Sequence, residues 1–394
     1  LYQNYIHCAD PIAMKTVLLT LGRLPKGLAV VRACKQAGCR VLVADPFRWH
    51  VCRPSRDVDK CFRVTAPNTS LQSYLSELLE IIRGEAVDLL IPVSEEALHV
   101  AALRDNMPTH CRFLGSDRAT LELLHDKRRF VEHARACGLP VPETCLASEA
   151  QAKALAERSD YVEKPLHSCS GIGLRIARAG EPLTGNSSTT VVQEFLRGDH
   201  ISSLSLVASG REVATVFYRG RVFAGTVAVC FERVDDCESA ADWVREFVAR
   251  SSYNGFLAFD FIVGDDGRAR AIECNPRTTS GVHFFEPAAL GRALLNPGAA
   301  ETLPYSEATR FQWAYSTLTE AYASLTRPRE FARKFGEMLR ARDVIWSLRD
   351  PLPFLLMTPM SWEILWPAIS TAATLGEATQ RDIAWFGPGD AVRS

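Results

Sequence analysis

The stretch Gly255-Phe-Leu-Ala-Phe-Asp-Phe-Ile-Val-Gly-Asp-Asp-Gly-Arg-Ala-Arg-Ala-Ile-Glu-Cys-Asn-Pro-Arg277 decides the fold of this chain. Its central Asp-Asp-Gly predicts a tight turn between two antiparallel apolar strands. Strand side chains alternate between faces, so Glu273 and Asn275 share one face and the turn can bring Asp260 beside them. Converging oxygen donors without histidine or thiolate suit Mg²⁺ that also holds phosphates. An acidic surface hairpin is the plain alternative, but unpaired carboxylates among apolar residues are costly.

Length and composition limit the classes of protein that remain open. The chain has 394 residues, of which 47% are apolar and 23% charged, as in a globular protein of two or three lobes. A net charge of −1 gives no indication of nucleic acid or an anionic membrane as partner. The 12 cysteines show no Cys-x-x-Cys spacing. They therefore predict reduced thiols and a cytoplasmic location rather than a disulfide framework or a zinc site.

The first part of the chain alternates short strands with helices. Strands are predicted at 16–21, 40–44, 88–93 and 111–114, and helices at 27–37, 71–82 and 95–103. This order predicts a parallel-sheet domain over residues 14–115, after an extension at 1–13 that ends where Met14 provides a natural start. A nicotinamide-binding loop is the alternative for the turn after the first strand. Gly22-Arg-Leu-Pro-Lys-Gly27 does not have the required Gly-x-Gly-x-x-Gly spacing.

A second unit is predicted over residues 116–300, with subdomains at about 116–190 and 191–300. Its first helix is expected to run from the Ser116-Asp117 cap through Lys127, and a further helical stretch to continue to Ala136. Strands then dominate, at 161–164, 173–176, 190–195, 202–207, 212–218 and 226–230, before a helix at 240–249. From about Ala308 the pattern is helical, which predicts a helical C-terminal region over residues 301–394.

Lys164 lies at a strand end directly before a loop of small residues. That loop contains Ser168, Ser170, Gly171 and Gly173, and its glycines permit close backbone approach to phosphate oxygens while Lys164 supplies charge. A hairpin loop with a surface lysine is the alternative. The other two motifs have similar alternatives when each is taken by itself. Lys127 would be a solvated helix residue, and the strand at 191–196 would be an ordinary core strand.

The order of these motifs resembles the ATP-grasp superfamily over roughly residues 14–300. The resemblance implies an α/β protein with an ATP-grasp fold, preceded by a Rossmann-like parallel-sheet domain and followed by a helical extension. It also implies a bound ATP with two Mg²⁺ ions, for which Mn²⁺ is an alternative.

The resemblance further implies roles for individual residues. Lys127 and Lys164 would hold the α- and β-phosphates, with the 168–173 loop over the β/γ end. Asp260, Glu273 and Asn275 would coordinate the metal ions, and Arg277 would steady the transferring phosphoryl group together with Lys164. Residues expected around the adenosine are Gln193, Glu194, Phe195, Leu196, Asp199 and His200. The ribose position is unsettled, because His200 stands where relatives carry an acidic residue and Asp199 is its neighbour.

Candidate substrate contacts lie on either side of the acidic hairpin. Arg219 and Arg221 are two apart on a strand, so they can clamp a carboxylate, although a basic solvent face is the alternative. Ser280, Gly281 and His283 follow the hairpin closely. His283 is a candidate substrate contact or base, and a structural histidine is equally compatible with the sequence.

The C-terminal region departs from a plain ATP-grasp enzyme. Residues 340–354, with the tryptophan-rich segment after them, resemble mycosporine-glycine synthase and its relatives. Residues 351–375 are apolar, but four prolines and Glu363 argue against a membrane span. Three interpretations of this segment remain. In order of preference they are a buried tail helix, a homodimer interface and a membrane-surface contact.

Together these motifs predict an ADP-forming ligase that joins an amine or amino acid to a carboxylate through an acyl phosphate. One alternative is an enol-activating ligase of the mycosporine-glycine synthase type, and another is a non-catalytic ATP-binding protein. Small-molecule substrates are expected as partners, without nucleic acid and without a transmembrane span.

Overall fold

A parallel sheet forms the N-terminal domain of the computed structural model, which describes residues 14–167, 173–185, 187–298, 303–360, 362–363, 379–385 and 387. The sheet has five strands in the order β3-β2-β1-β4-β5. The elements are β1 Thr16–Leu19, α1 Pro25–Gln36, β2 Arg40–Asp45, β3 Lys60–Arg63, α2 Leu71–Gly84, β4 Leu89–Ile91, α3 Ala97–Val100, a 3₁₀ helix Ala101–Asn106 and β5 Arg112–Phe113. The predicted alternation of strands and helices is confirmed. β3 was not predicted, because its four residues, Lys-Cys-Phe-Arg, contain only two apolar residues and none of the four is buried.

The loop after β1 differs from a usual dinucleotide-binding loop in its contacts. The Asp45 carboxylate accepts hydrogen bonds from the backbone N–H groups of Gly22 and Arg23, at 2.8 and 3.0 Å. The Arg23 guanidinium closes on the same carboxylate at 2.6 Å, and both side chains are fully buried. Because Asp45 already uses the N–H groups that would cradle a pyrophosphate, the loop serves as an internal anion site.

A small antiparallel sheet follows two helices. The elements are α4 Arg118–His125, α5 Lys127–Ala136, β6 Thr144–Leu146, α6 Ala150–Arg158, β7 Tyr161–Pro165, β8 Arg175–Ala177 and β9 Thr190–Glu194. The sheet order is β6-β9-β7-β8, so it continues past the division expected at residues 190/191. The predicted helix through Lys127 is interrupted at Asp126, whose carboxylate accepts from the N–H groups of Arg128 and Arg129. Lys127 is therefore the first residue of a separate helix.

A seven-stranded sheet carries the second half of the molecule, in the order β14-β13-β10-β11-β12-β15-β16. Its elements are β10 Asp199–Ala208, β11 Arg211–Ala224, β12 Val227–Val234, α7 Glu238–Ala249, β13 Gly255–Val263, β14 Ala269–Asn275, a 3₁₀ helix Ser280–Phe284, α8 Pro287–Leu295, β15 Arg310–Gln312, α9 Ala314–Tyr322, α10 Pro328–Arg340, β16 Arg342–Asp343, α11 Leu352–Leu355 and α12 Met357–Met360. The C-terminal region is mainly helical as predicted, and it also adds β15 and β16 to this sheet. Such two- and three-residue strands leave no periodic signal.

The seven-stranded sheet meets the N-terminal domain through a continuous apolar core, whereas the small sheet has its own apolar cluster. One cluster of buried side chains includes Val17 of β1 and Leu28 of α1 together with Leu204 of β10 and Phe284 of the second 3₁₀ helix. Gly198 marks the passage from β9 to β10, with a φ of +150° and a hypothetical Cβ only 2.1 Å from the Val263 carbonyl oxygen. Only glycine fits at this junction. Among the described residues, no helix has the length and apolar character to cross a membrane.

Candidate active site

The acidic hairpin forms as predicted. β13 pairs antiparallel with β14, and Asp260 lies directly opposite Glu273. A register shift follows Asp260, and Asn275 lies opposite Ala258 on the same side. Asn275 Nδ2 donates to Asp260 Oδ2 at 3.1 Å, which joins the three side chains into one cluster. The side chains of Asp260 and Glu273 each keep 25% of their surface exposed, so a ligand can reach them.

The two carboxylates have opposite electrostatic surroundings. Burial and the adjacent Glu273 raise the pKa of Asp260, although His200 and the Ser202 hydroxyl, which donates at 2.5 Å, partly counter this. Burial by itself would raise the pKa of Glu273 as well, but the charges of Lys127 and Lys164 hold it below its ordinary value. Two adjacent carboxylates that repel each other gain from a cation placed between them.

Two lysines approach this cluster from the small sheet and from α5. Lys127 Nζ lies 3.7 Å from Glu273 Oε1 and its side chain is buried. Lys164 Nζ donates to Gln193 Oε1 at 3.0 Å and to the Ile272 carbonyl oxygen at 3.1 Å. Burial lowers the pKa of Lys164 to about 8. The predicted phosphate lysines therefore lie beside the predicted metal ligands, although they are far from them in sequence.

Arg277 is held by a carboxylate that the sequence analysis missed. Its Nη2 donates to Asn275 Oδ1 at 2.9 Å, and its Nε donates to Glu95 Oε1 at 2.6 Å. Glu95 is buried, which by itself raises a carboxyl pKa, but Arg277 and His125 lower the pKa of Glu95 to about 2. Lys26 is the second omission, since its Nζ donates to the Thr278 carbonyl oxygen at 2.8 Å. The N-terminal domain thus supplies one wall of the site.

A sequence signal for Glu95 was present. Ser94, Glu95 and Glu96 follow the buried strand β4, and side chains at the carboxyl ends of parallel strands commonly face a ligand crevice. Three polar residues that are all buried directly after a strand therefore indicate a site. The signal does not name a partner, because Arg277 is distant along the chain.

The predicted adenosine residues occupy the junction between the two sheets. Gln193 Nε2 donates to Thr144 Oγ1 at 2.9 Å, so both ends of its amide are engaged and its side chain orients Lys164. The Glu194 N–H donates to the Glu143 carbonyl oxygen at 2.9 Å, and the Phe195 N–H donates to the Asp160 carbonyl oxygen at 3.0 Å. Those two N–H groups are therefore committed to the protein.

Leu196, Asp199 and His200 continue along the same edge. Leu196 is half-buried, and Asp199 and His200 are exposed at the start of β10. His200 Nε2 lies 3.7 Å from Asp260 Oδ1, which places the imidazole beside a predicted metal ligand. Contacts of Asp199 and His200 with a ribose remain a prediction. Of the predicted phosphate loop, Ser168, Ser170 and Gly171 lie outside the described residues, and Gly173 is exposed with a φ of +73°.

The structure does not bring Arg219 and Arg221 together with the acidic cluster. Asp260 pairs with Ser202, and Ser202 pairs with Tyr218, so Tyr218 marks the face of β11 that carries the site. Arg219 and Arg221 lie on the other face, where Glu232 faces both and Glu337 accepts from Arg221 at 2.7 Å. Their charges are balanced within the protein, so a substrate clamp there is not favoured.

The residues after Arg277 have different surroundings from one another. Gly281 is closely packed, because a hypothetical Cβ would lie 2.6 Å from Leu204 Cβ, and Ser280 beside it is half-buried. His283 stacks against the Phe231 ring at 5.9 Å between centroids, and burial lowers its pKa to about 3. It lines a cavity of about 250 Å³ together with Arg32 and Trp346. His283 is thus a neutral histidine beside aromatic rings.

The donor set fits a hard divalent cation. Asp260 and Glu273 supply carboxylate oxygens and Asn275 an amide oxygen, and Mg²⁺ bound with substrate phosphates needs only one or two carboxylates from the protein. Across the described ranges there is no group of three or more His, Cys, Asp or Glu side chains arranged to hold a metal ion. A metal held by these residues would therefore complete its coordination with oxygens of its substrate or with water.

Comparisons with known proteins agree with this geometry. Residues 124–281 match the family model described as ATP-grasp domain. Two 3-methyl-D-ornithine–L-lysine ligases are similar, one from Methanosarcina barkeri (25% identity over 203 residues) and one from Methanosarcina acetivorans (27% over 203 residues). Each alignment covers 52% of this chain and 50% of the relative, so the chain spans about half the length of the curated relatives it matches.

Solved structures show the same fold over a longer stretch. The biotin carboxylase domain of Hydrogenobacter thermophilus 2-oxoglutarate carboxylase, in complex with MgADP, ADP and bicarbonate, has a TM-score of 0.60 at 18% identity and covers 74% of this chain and 71% of its own. N5-carboxyaminoimidazole synthetase from Staphylococcus aureus has a TM-score of 0.58 at 13% identity, with coverages of 74% and 80%. Residues 124–281 are thus similar to an ATP-grasp domain, and the solved structures share the fold of this chain over about three quarters of its length, including an α/β architecture with a parallel sheet.

Proposed function

We propose that this protein is an ATP- and Mg²⁺-dependent ligase that joins an amine to a carboxylate and releases ADP and phosphate. The observation that carries the proposal is the convergence of Asp260, Glu273 and Asn275 with Lys127 and Lys164. Carboxylates for metal ions and buried lysines for phosphates are the two components that phosphoryl transfer requires. The similarity to two amino-acid ligases supports an amine as the second substrate.

The residues divide the work in a way that follows from their positions. Lys127 and Lys164 bind phosphate oxygens, and Lys164 is already oriented by Gln193 and the Ile272 carbonyl oxygen. Asp260, Glu273 and Asn275 would hold Mg²⁺, and such an ion would supply positive charge that neutralises the phosphates. Arg277, fixed by Glu95, presents planar donors to the acceptor oxygen or the transferred group.

The wall between the two domains is the proposed site of the acceptor. Glu95, Lys26 and Arg277 come from both sides of it, and Lys26 Nζ bridges Ser94 Oγ at 3.1 Å and the Thr278 carbonyl oxygen. A carboxylate acceptor would meet Lys26 and Arg277 there, and the Glu95 carboxylate already pairs with Arg277. Excluding water from this cleft protects an acyl phosphate until the amine attacks.

An isotope experiment tests the reaction class before the substrates are refined. A screen of ADP release across pairs of amino acids and carboxylates identifies the acceptor. Its carboxylate oxygen is then labelled with ¹⁸O. Direct phosphoryl transfer delivers that label into inorganic phosphate, with ADP as the nucleotide product. AMP and pyrophosphate with label in AMP would overturn the proposal, as would the absence of ATP binding by the purified chain.

The enol-activating alternative predicts a different substrate and the same phosphate products. Incubation with 4-deoxygadusol and glycine distinguishes it, because only that reaction yields an ultraviolet-absorbing product. The contacts of the described residues do not favour it over a carboxylate acceptor.

A further inference from the structure

Residues 379–385, which we name the C-terminal strap, lie across the boundary between the N-terminal domain and the ATP-grasp domain. The strap is outside the segment that matches the family model. Ile383 is fully buried, and Ala384 and Trp385 are 6% and 7% exposed. A short segment that is buried this deeply and carries no regular strand or helix is held by specific contacts.

The N-terminal domain holds one end of the strap. Asp382 Oδ1 lies 2.7 Å from Arg23 Nη1, and Arg23 is the buried guanidinium that also pairs with Asp45. Asn68 Nδ2 donates to the carbonyl oxygens of Arg381 and Ala384, at 2.7 and 3.0 Å. The Asn68 N–H donates to the Asp382 carbonyl oxygen at 3.2 Å. Because Asn68 contacts strap backbone, it fixes the path of the segment.

The other end of the strap contacts the ATP-grasp domain through Trp385. The indole packs edge-on against the His167 ring at 4.9 Å and the His125 ring at 5.7 Å between centroids. His125 ends α4 and His167 follows β7, so Trp385 joins two elements that border the proposed phosphate site. Edge-on aromatic pairs restrict the rotation of both rings.

His167 transmits this restraint to Lys127. His167 Nε2 lies 3.4 Å from Asp126 Oδ2. Asp126 caps α5, and the first residue of that helix is Lys127, whose Nζ lies 3.7 Å from Glu273. Each step is a direct contact, so a change in the His167 ring alters the cap that sets the direction of Lys127. In addition, the Lys127 N–H donates to the Leu166 carbonyl oxygen at 3.4 Å.

We propose that Trp385 is a positioning residue for nucleotide binding, which acts through His167 and Asp126 on Lys127, with Asp382 holding the strap to the N-terminal domain. The inference rests on the proposed ATP site. According to this inference, the affinity for ATP also depends on the C-terminal strap, which lies outside the segment that matches the family model. Trp385 need not touch the nucleotide.

The test compares ATP affinity by titration calorimetry in the full chain, with Trp385→Ala, Trp385→Phe and the control Ile345→Ala. Ile345 is 1% exposed in the same C-terminal region, and it packs in a different apolar cluster from the one that contains Trp385. We expect Trp385→Ala to raise the Kd for ATP about fivefold and Trp385→Phe to stay near the parent. The control should lower the melting temperature without changing the Kd.

A double-mutant cycle separates positioning from general destabilisation. If Trp385 acts through His167, Trp385→Ala adds little to the effect of His167→Ala on the Kd, whereas independent contributions add. The order of measurement also separates the two proposals. A parent chain that does not bind ATP overturns the proposed function, and a parent that binds ATP as tightly as Trp385→Ala overturns the inference alone. Equal loss of affinity in Ile345→Ala and Trp385→Ala overturns it as well.

Discussion

Two charged clusters lie on opposite faces of the same seven-stranded sheet. In only one of them, which we name the balanced cluster, does each carboxylate contact guanidinium groups directly. On one face, Asp260 and Glu273 stand side by side. On the other face, Glu232 and Glu337 alternate with Arg221 and Arg310 at distances of 2.7 to 3.4 Å. Charges that already pair at contact distance gain little from a ligand. Asp260 and Glu273 still repel each other although Lys127 lies 3.7 Å from Glu273, so a bound cation would stabilise them. Direct pairing of opposite charges, more than the presence of charge, distinguishes the structural network from the proposed site.

The largest expected effect comes from removing one carboxylate of the Asp260–Glu273 pair. Glu273→Gln should reduce ADP formation by about 10²-fold or more, because it removes a proposed metal ligand and the partner of Lys127. The fold should survive, since the substitution relieves repulsion with Asp260. ADP release at saturating Mg²⁺ measures the effect.

The matched control is Glu232→Gln in the balanced cluster. It makes the same chemical change on the opposite face. Because Glu232 is away from the proposed site, ADP formation should stay within about threefold of the parent. The comparison between faces fails if both variants lose activity equally, or if Glu273→Gln keeps turnover within about threefold.

The next effect concerns the buried lysine. Lys164→Ala should weaken ATP binding and lower kcat, each by about tenfold, the loss expected for a charge-assisted hydrogen bond. The same charge is proposed to serve the bound and the transferred phosphate. Calorimetry and steady-state rates measure the two effects separately.

Arg221→Ala is the control for Lys164→Ala, because it removes a cation from the other face of the sheet. It should leave both the Kd for ATP and kcat unchanged. If Lys164→Ala also leaves both values unchanged, Lys164 does not belong to the site.

A pH dependence follows from the lowered pKa of Lys164. With a pKa of about 8 in the free protein, the ammonium loses its proton as the pH rises through 8, and bound phosphate favours the protonated form. ATP binding should therefore weaken above about pH 8 and take up close to one proton near about pH 9, with little uptake near about pH 7. Calorimetry in buffers of different ionisation enthalpy counts the protons.

The variant that checks this assignment is Lys164→Met, which should abolish the proton uptake at the higher pH. Uptake that persists in Lys164→Met assigns the proton to another group.

The smallest effect is expected in the balanced cluster. Arg221→Ala should change the free energy of unfolding by less than about 1 kcal/mol, because the Arg221 side chain is 35% exposed and solvent screens its ion pairs. Denaturant titration measures this change. A loss of several kcal/mol would show that this network is a main support of the fold and that its ion pairs are not weakened by solvent.

The sequence predicted the hairpin and the proximity of Asp260, Glu273 and Asn275 because all of the information is local. A turn and a period of two fix which side chains share a face. The predicted helix through Lys127 was wrong, because the chain ends one helix before Asp126 and begins another at Lys127. This boundary became visible only in the structure, where the Asp126 carboxylate accepts from two backbone N–H groups. Arg219 and Arg221 met the pattern for a clamp, but the face that they occupy depends on pairing with distant strands.

By itself, the sequence determined the alternation of strands and helices, the acidic hairpin and the order of the motifs that we propose to bind phosphate. Only the tertiary structure decided that Glu95 fixes Arg277, that Gln193 orients Lys164, and that a strap from the C-terminal region contacts His167. The physical reason is the range of the forces involved. Turn geometry and side-chain periodicity act between neighbours in the chain, whereas ion pairs and ring contacts depend on which surfaces the folded core brings together.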